Sequence, residues 1–217
     1  MERVVAFSVE QEMPLTVKLG YRAKAGRVYL PVGDPKMLLW KDFVKMAAGK
    51  SEICYKKDPH KLCLLTHTGG TTGEPKAVML TDYAMNAVVG GCFAIKDSSE
   101  VLRSSKQNSV FLQVMIPFVV YGILTCTHMP LCMGWCLALI PKFDGGAWRQ
   151  YFKKYKLHYA FAVPAYISSM LGDKKLNGID FSEVRTIAMG GDGMNEKLEK
   201  EINSFESMPF YMPEIAC

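Results

Sequence analysis

Between Gln107 and Pro141 the chain carries no Asp, Glu, Lys or Arg, and that gap restricts the folds open to it. A run of this length can hold a membrane-spanning helix. It also contains Pro117, Gly122, Pro130 and Gly134, which interrupt such a helix. Its two ends, Val110 to Met115 and Trp135 to Ile140, have the β-rich look of core strands. A helix packed between strands buried on both faces needs the same composition. The run is therefore read as the centre of a globular core, with at most a peripheral encounter with a membrane surface.

The segments around it alternate. Arg3 to Val9 reads as a strand, and Met13 to Pro35 as a weakly patterned stretch with turns at Gly20, Gly26, Pro31 and Gly33. Trp40, Phe43, Val44 and Ala47 recur at helical spacing, and Lys50 to Lys61 reads as a charged loop. Leu62 to Leu65 is a short apolar strand. Thr81 is expected to cap a helix that starts at Asp82 and buries Ala84, Ala87, Val88 and Gly91. Tyr121 to Met133 is helical in character, ended or bent by Pro130. Trp148, Tyr151, Phe152 and Tyr155 form the cleanest amphipathic face. His158 to Val163 is a strand closed by Pro164, and a short helix follows to Leu171. Glu183 to Met189 is the last strand, before a helix carrying Leu198, Ile202 and Phe205 inside and a Glu196–Lys200 pair outside. This order predicts an α/β fold with a mostly parallel sheet flanked by helices on both faces. Ligands of such sheets sit beyond the carboxyl ends of the strands.

Two glycine-rich loops are expected on that edge. Thr68-Gly69-Gly70-Thr71-Thr72-Gly73 follows the Leu62 strand, and Gly190-Gly191-Asp192-Gly193 follows Met189. Glycines can take positive φ, so a loop rich in them can turn successive N–H groups toward one anion. Threonine hydroxyls add donors, and Lys76, set off by Pro75, supplies a compact charge for a polyphosphate. The Thr68 to Lys76 loop holds no Gly-Lys-Ser/Thr and so fails the Walker-A spacing, and no Gly-x-Gly-x-x-Gly follows a strand. A flexible surface loop is the plain alternative, but it would need neither a strand before it nor Pro-Lys after it.

The net charge of +5 comes from scattered basic residues. It suits an anionic small ligand and shows no dense stripe of the kind that tracks nucleic acid. The 7 cysteines are odd in number and sit mostly in apolar surroundings, which favours reduced core thiols and a cytoplasmic location over a disulfide framework. Residues 1 to 12 do not read as a signal peptide. His128, Cys132 and Cys136, with Cys126 nearby, lack the paired spacing of a zinc site, so core packing is preferred and no metal ligand is assigned.

Thr68 to Lys76 resembles the phosphate loop of the adenylate-forming (AMP-binding) superfamily, Thr/Ser-Ser/Gly-Gly-Thr-Thr-Gly-x-Pro-Lys-Gly, with Ala77 in place of the last glycine. Ile116-Pro117-Phe118-Val119-Val120-Tyr121-Gly122 is similar to its Pro-Leu-Phe-His-x-Tyr/Phe-Gly stretch, with Val119 where many members have histidine. Leu139 to Asp144, Phe152 to Lys156 and Val163-Pro164 resemble a succession found in its acyl-CoA synthetases, and Met189 to Met194 is similar to its adenine loop, with Asp192 and Gly193 replacing Ala-Pro. The resemblance covers about Lys61 to Phe205. It implies activation of a carboxylic acid, fatty or aromatic, by ATP, with Mg²⁺ and then coenzyme A. By carry-over Thr68, Gly69, Gly70, Thr71, Thr72, Gly73 and Lys76 hold the β- and γ-phosphates, Thr72 and Lys76 acting in catalysis. Gly190, Gly191 and Asp192 take the adenine side, and Phe118, Val119, Tyr121 and Gly122 wall the acyl site.

The family's Tyr-Gly-x-Thr-Glu motif, ribose motif, hinge and small C-terminal catalytic domain are not matched. The expectation is a partial large domain: an N-terminal segment over 1–60, a nucleotide-binding α/β subdomain over 61–206, and a tail over 207–217. Three alternatives stay open: a non-catalytic fragment complementing a second polypeptide, an amino-acid-activating adenylation domain, and a small membrane-inserted protein built on the uncharged run.

Overall fold

The computed structural model describes residues 4–8, 10, 13–25, 33, 35–50, 57–68, 74–98, 106–140, 142–204 and 210–211. The chain divides into two compact units, Met1–Lys56 and Lys57–Cys217.

In the first unit, β1 (Val4–Ala6) pairs in parallel with β2 (Met37–Leu39), Val5 opposite Leu38. Between them runs α1 (Leu15–Ala25), in the stretch that sequence pattern reads as turns. Gly20 lies inside this helix at a cost of about 1 kcal/mol relative to alanine, and its neighbours Leu19, Arg22, Ala23 and Lys24 are good helix formers. Arg22 is also tied to the buried Glu10 by a two-pronged ion pair, Nε to Oε2 at 2.9 Å and Nη2 to Oε1 at 3.0 Å. The short helix α2 (Trp40–Lys45) forms where its apolar spacing predicts it, with Trp40 edge-on to Phe7 at 5.8 Å.

The second unit opens with β3 (Leu62–His67) and β4 (Ala77–Thr81), paired antiparallel from Leu62–Thr81 to His67–Ala77. Together they are a separate two-stranded sheet. The strand before the glycine–threonine loop is thus not a member of the parallel sheet, and the loop is a hairpin connection. The expectation that both glycine-rich loops follow strands of one parallel sheet is corrected here. Sequence alone could not separate the two cases, because a short apolar run fits either kind of pairing.

From β4 the chain turns into α3 (Asp82–Ser98), with the Thr81 hydroxyl accepting the Ala84 N–H at 3.2 Å as its cap. The buried face is displaced by one residue from the expected one. Met85 and Val89 are buried and Cys92 is half-buried, while Ala87 and Gly91 are exposed. The helix turns its larger apolar side chains inward, which removes more surface from water.

The central sheet holds β5 (Val110–Gln113), β6 (Cys136–Leu139), β7 (Tyr159–Ala162), β8 (Thr186–Met189) and β9 (Phe210–Tyr211), in the order β6-β5-β7-β8-β9 and parallel throughout. Its side chains alternate between two cores. On one face Leu112, Val114, Ala160, Ala162, Ile187 and Met189 meet α6 (Trp148–Tyr155), α7 (Pro164–Leu171) and α8 (Glu196–Asn203). On the other, Phe111, Tyr159 and Phe161 meet Val89 of α3, together with Cys126, Met129 and Trp135. The helices on both faces are those the βαβ rhythm requires. Residues 210–211 add the edge strand β9 inside the stretch read as a tail, Ile187 standing opposite Phe210. On α8 the ion pair that forms is Lys197–Glu201 at 3.8 Å, one residue on from the expected Glu196–Lys200 pair.

The uncharged run becomes β5, α4 (Val120–Ile123), a π-helical stretch (Leu124–His128), α5 (Met129–Cys132) and β6. Among the described residues no helix is long and apolar enough to cross a membrane. Pro130 neither stops the helix nor sits in its middle. The π-helical stretch widens the turn before it, and Pro130 falls at the start of the next α-helical segment, where a missing N–H matters least.

Trp148 is fully buried; its indole N–H donates to Ser169 Oγ at 3.0 Å, and it packs on Phe143 and Phe152. Trp148→Ala is expected to lower unfolding free energy by about 3–5 kcal/mol in urea titrations followed by circular dichroism. A loss of under about 1 kcal/mol would mean that α6 contributes little to holding this face of the sheet.

Candidate functional site

Parallel strands put their following loops on one edge. The loops after β5, β7 and β8, containing Phe118 and Val119, Val163, and Gly190 to Asp192, therefore share the carboxyl rim of the sheet. From β5 the chain steps outward to β6 and then returns to the opposite side of β5 as β7. The reversal between β5 and β7 is a topological switch point, which leaves a crevice at that rim.

Three elements close on this crevice. Gly190 N–H donates to the Ala162 carbonyl at 3.2 Å, carrying β8 past β7 before the loop turns. Gly191 then takes φ +81°, a conformation that an L side chain rarely adopts. A Cβ on Gly191 would lie 3.6 Å from the Tyr121 ring and 3.8 Å from a Val163 methyl. Backbone, an aromatic ring and a branched side chain thus meet at one point. The adenine-side candidates Gly190, Gly191 and Asp192 and the acyl-wall candidate Tyr121 are brought together. Val163, quoted in sequence only as the residue before Pro164, joins them.

Asp192 is exposed and its Oδ1 accepts the Gly193 N–H at 2.8 Å, which shapes the loop. Just beyond, Asn195 caps α8 through the Leu198 N–H at 2.9 Å. Asp192 and Gly193 stand at the lip of an open cavity of about 830 Å³ between α7 and α8. The glycine-formed turn beside an aromatic ring fits a planar base, since it offers backbone polar atoms and an apolar face without a side chain in the way.

The other acyl-wall candidates divide. Gly122 is buried, and a Cβ there would overlap the Ile116 carbonyl oxygen, so no larger residue fits without moving the backbone. Phe118 is 80% exposed and Val119 38%, so both side chains face outward. The Lys142-Phe143-Asp144 segment, quoted for its resemblance, serves the fold. The Phe143 ring stacks on Tyr166 at 3.8 Å, and Asp144 Oδ1 accepts the Gly146 N–H at 2.9 Å ahead of α6.

On the hairpin, Thr68 and Lys76 form the neck of the phosphate-loop candidate. Thr68 N–H donates to the Lys76 carbonyl at 3.0 Å, and Lys76 N–H donates to Thr68 Oγ1 at 3.2 Å. Both residues are exposed. The Thr68 hydroxyl, used here as an acceptor, keeps its own proton as a donor. Gly69, Gly70, Thr71, Thr72 and Gly73 lie outside the described residues.

Among the described residues no three His, Cys, Asp or Glu side chains group closely enough to hold a metal ion. Of the four residues weighed for zinc, only Cys126 is buried; Cys132 and Cys136 are exposed, and Cys132 Sγ lies 3.7 Å from His128 Nε2. The reading of the cysteines as core thiols therefore holds for Cys126 alone among Cys63, Cys126, Cys132 and Cys136.

A profile of the AMP-binding enzyme family matches residues 11–208. Over 163 residues the chain is 29% identical to 4-coumarate–CoA ligase CCL1 of Humulus lupulus, covering 75% of this chain and 29% of that protein. Over 155 residues it is 29% identical to the long-chain-fatty-acid–CoA ligase of Bacillus subtilis (strain 168), covering 67% of this chain and 26% of that protein. The chain thus spans little more than a quarter of the length of the curated relatives it matches. Two solved structures share its fold. The inhibitor-bound N-terminal domain of FACL13 from Mycobacterium tuberculosis superposes with TM-score 0.65 at 20% identity, over 91% of this chain and 47% of that one. The O-succinylbenzoate coenzyme A synthetase MenE from Bacillus subtilis, in complex with AMP, gives TM-score 0.60 at 17% identity, over 96% and 53%.

Burial governs the ionisable groups beneath the crevice. It pushes the Cys126 thiol from its ordinary 9.0 up to about 12, a hydrogen bond from Thr125 pulling slightly the other way. It also raises the Tyr121 phenol, with a smaller contribution from the charge of Cys126. Both groups keep their protons in the native state at a pH where the unfolded chain has lost them. Their contribution to stability is complete below pH 9.0 and declines as the pH rises through about 12. Denaturation midpoints are expected to fall between about pH 8 and about pH 10.5, and Cys126→Ala to flatten that fall. An unchanged slope in the variant would mean that Cys126 is reached by water.

Proposed function

The chain belongs to the AMP-binding enzyme family, and from that premise we propose that it forms the nucleotide- and acid-binding face of an ATP-dependent acid–CoA ligase. In the proposed reaction a carboxylate oxygen attacks the α-phosphorus of ATP. A new P–O bond forms, the bond to the β-phosphate breaks, and pyrophosphate leaves with its electron pair. The thiol of coenzyme A then attacks the acyl carbon and releases AMP. Two anions must approach each other in the first step, so donors and cations that offset their repulsion lower its barrier.

The observation that carries this reading is the meeting of Gly191, Tyr121 and Val163 at the switch point of the sheet. The base would lie along the backbone of Gly190 to Asp192, with the phosphates reaching toward Thr68, Gly69, Gly70, Thr71, Thr72, Gly73 and Lys76. Thr72 and Lys76 are assigned to the β- and γ-phosphates that leave as pyrophosphate, and Phe118, Val119, Tyr121 and Gly122 to the acid. An apolar acid, fatty or aromatic, is favoured because Val119 and Tyr121 bring no charge to the wall. Magnesium would ride on the phosphate oxygens, supplying charge neutralisation there. A cytoplasmic location is supported by the cysteines Cys63, Cys92, Cys126, Cys132 and Cys136, all free.

One observation favours a second polypeptide as part of the working unit. The cross-strand pair Leu65 and Met79 is 55% and 72% exposed, on a hairpin too small to be stable by itself in water.

Titration calorimetry with ATP and with AMP tests the nucleotide reading. Lys76→Ala is expected to weaken ATP roughly tenfold and to leave AMP within about twofold, because the lysine is assigned to phosphates that AMP lacks. Equal losses for both nucleotides would remove Lys76 from the polyphosphate site. Failure of the unaltered chain to bind either nucleotide would overturn the functional reading.

A further inference from the structure

Gln113 ends β5 in the middle of the uncharged run and is 4% exposed. A buried amide is tolerated only when its donors and acceptor are used, and here each side of it is. Nε2 donates to the Gly122 carbonyl at 3.1 Å and to Thr127 Oγ1 at 2.7 Å, and Oε1 accepts the Met115 N–H at 2.9 Å. The Thr127 hydroxyl donates in turn to the same Gly122 carbonyl at 2.9 Å.

One side chain therefore binds three things together: the loop that leaves β5, the first turn of α4, and the π-helical stretch Leu124–His128. The clamped carbonyl belongs to the residue directly after Tyr121. Gly122 cannot shift toward the loop, because the Ile116 carbonyl blocks the space where a side chain would begin. The Tyr121 carbonyl is held from the other side by the Thr125 hydroxyl. The Tyr121 ring, restrained through its own carbonyl and that of Gly122, is the surface that Gly191 packs against. A leucine at position 113 would serve the core alone. An amide supplies directional bonds to a π turn, and such turns recur at functional sites.

We propose that Gln113 is a positioning residue for the nucleotide: it holds the Tyr121 ring against the backbone of Gly190 to Asp192, the surface on which the base would lie. The inference rests on the nucleotide-binding reading above. Without the amide, the Gly122 carbonyl loses one of its two donors and the π turn can relax toward α-helical geometry. Each residue of register in a helix is a rotation of about 100°, so even partial relaxation turns the ring out of line.

The test uses the full chain and two probes, AMP and inorganic tripolyphosphate, in titration calorimetry. Gln113→Met, close in length and without donors, is expected to weaken AMP roughly tenfold, and Thr127→Val roughly threefold. Tripolyphosphate affinity is expected to stay unchanged in both, because the hairpin neck at Thr68 and Lys76 does not touch this network. A purely structural role would reduce both probes together or neither, and either result overturns the inference. If Gln113→Met does not fold, Thr127→Val, which removes a single hydroxyl, decides alone. Failure of the unaltered chain to bind AMP would overturn the functional reading and this inference with it. AMP binding that both substitutions leave intact would overturn the inference only.

Discussion

Everything in the second unit depends on burying β5 from both sides. Phe111 and Leu112 point to opposite faces and are both fully excluded from water. Neither face can be left open, so the chain must supply helices above and below the sheet. Parallel pairing makes the same demand, since each crossover has to pass over one face or the other. The absence of charge from Gln107 to Pro141 is the sequence record of that condition. On one side the aromatic packing is especially close: Trp135 stacks on Tyr159 with centroids 4.1 Å apart, and Phe161 meets Phe111 edge-on at 5.2 Å. Such pairs add to burial a preference for particular geometry, which helps to fix the register of β5 against β7.

The same constraint places the site. Because β5 has β6 on one side and β7 on the other, the connections diverge beside it, and the carboxyl rim opens there. Tyr121 reaches that opening from the helix that follows β5, and Gly191 reaches it from the loop after β8. Their meeting combines a residue that accepts φ +81° on one partner with an anchored ring on the other. The buried polar network around Gln113 and the glycine at 122 belong to the anchoring. Core packing and the geometry of the candidate site are here one arrangement described at two distances from the rim.

Much of this could be read from residue pattern. The strands at Val110, Tyr159 and Thr186, the amphipathic helix from Trp148, the Thr81 cap and the parallel order all follow from periodicity and from breakers such as Pro164. Family resemblance singled out the Gly190 to Asp192 loop and Tyr121. Other features were hidden for identifiable reasons. Whether Leu62 to Leu65 joins a parallel sheet or a hairpin depends on a partner strand that local pattern does not name. The helix over Leu15–Ala25 was obscured by Gly20, whose modest penalty is outweighed by its neighbours and by the Arg22–Glu10 bridge. The face of α3 slipped by one position because several small residues satisfy more than one helical stripe. Gln113 was visible as a polar residue in an apolar strand, yet its partners lie up to fourteen residues away, and only coordinates connect them.

Among the described residues the hairpin of β3 and β4 shares no hydrogen-bond ladder with the central sheet. Its mechanical link runs through α3, whose Val89 and Cys92 are seated among Phe111, Met129 and Trp135. From Thr68 and Lys76 the route through α3 to the sheet is thus one of packed side chains. In the proposed function the phosphate end and the base end of a nucleotide would therefore be held by elements that share side-chain packing and no strand pairing.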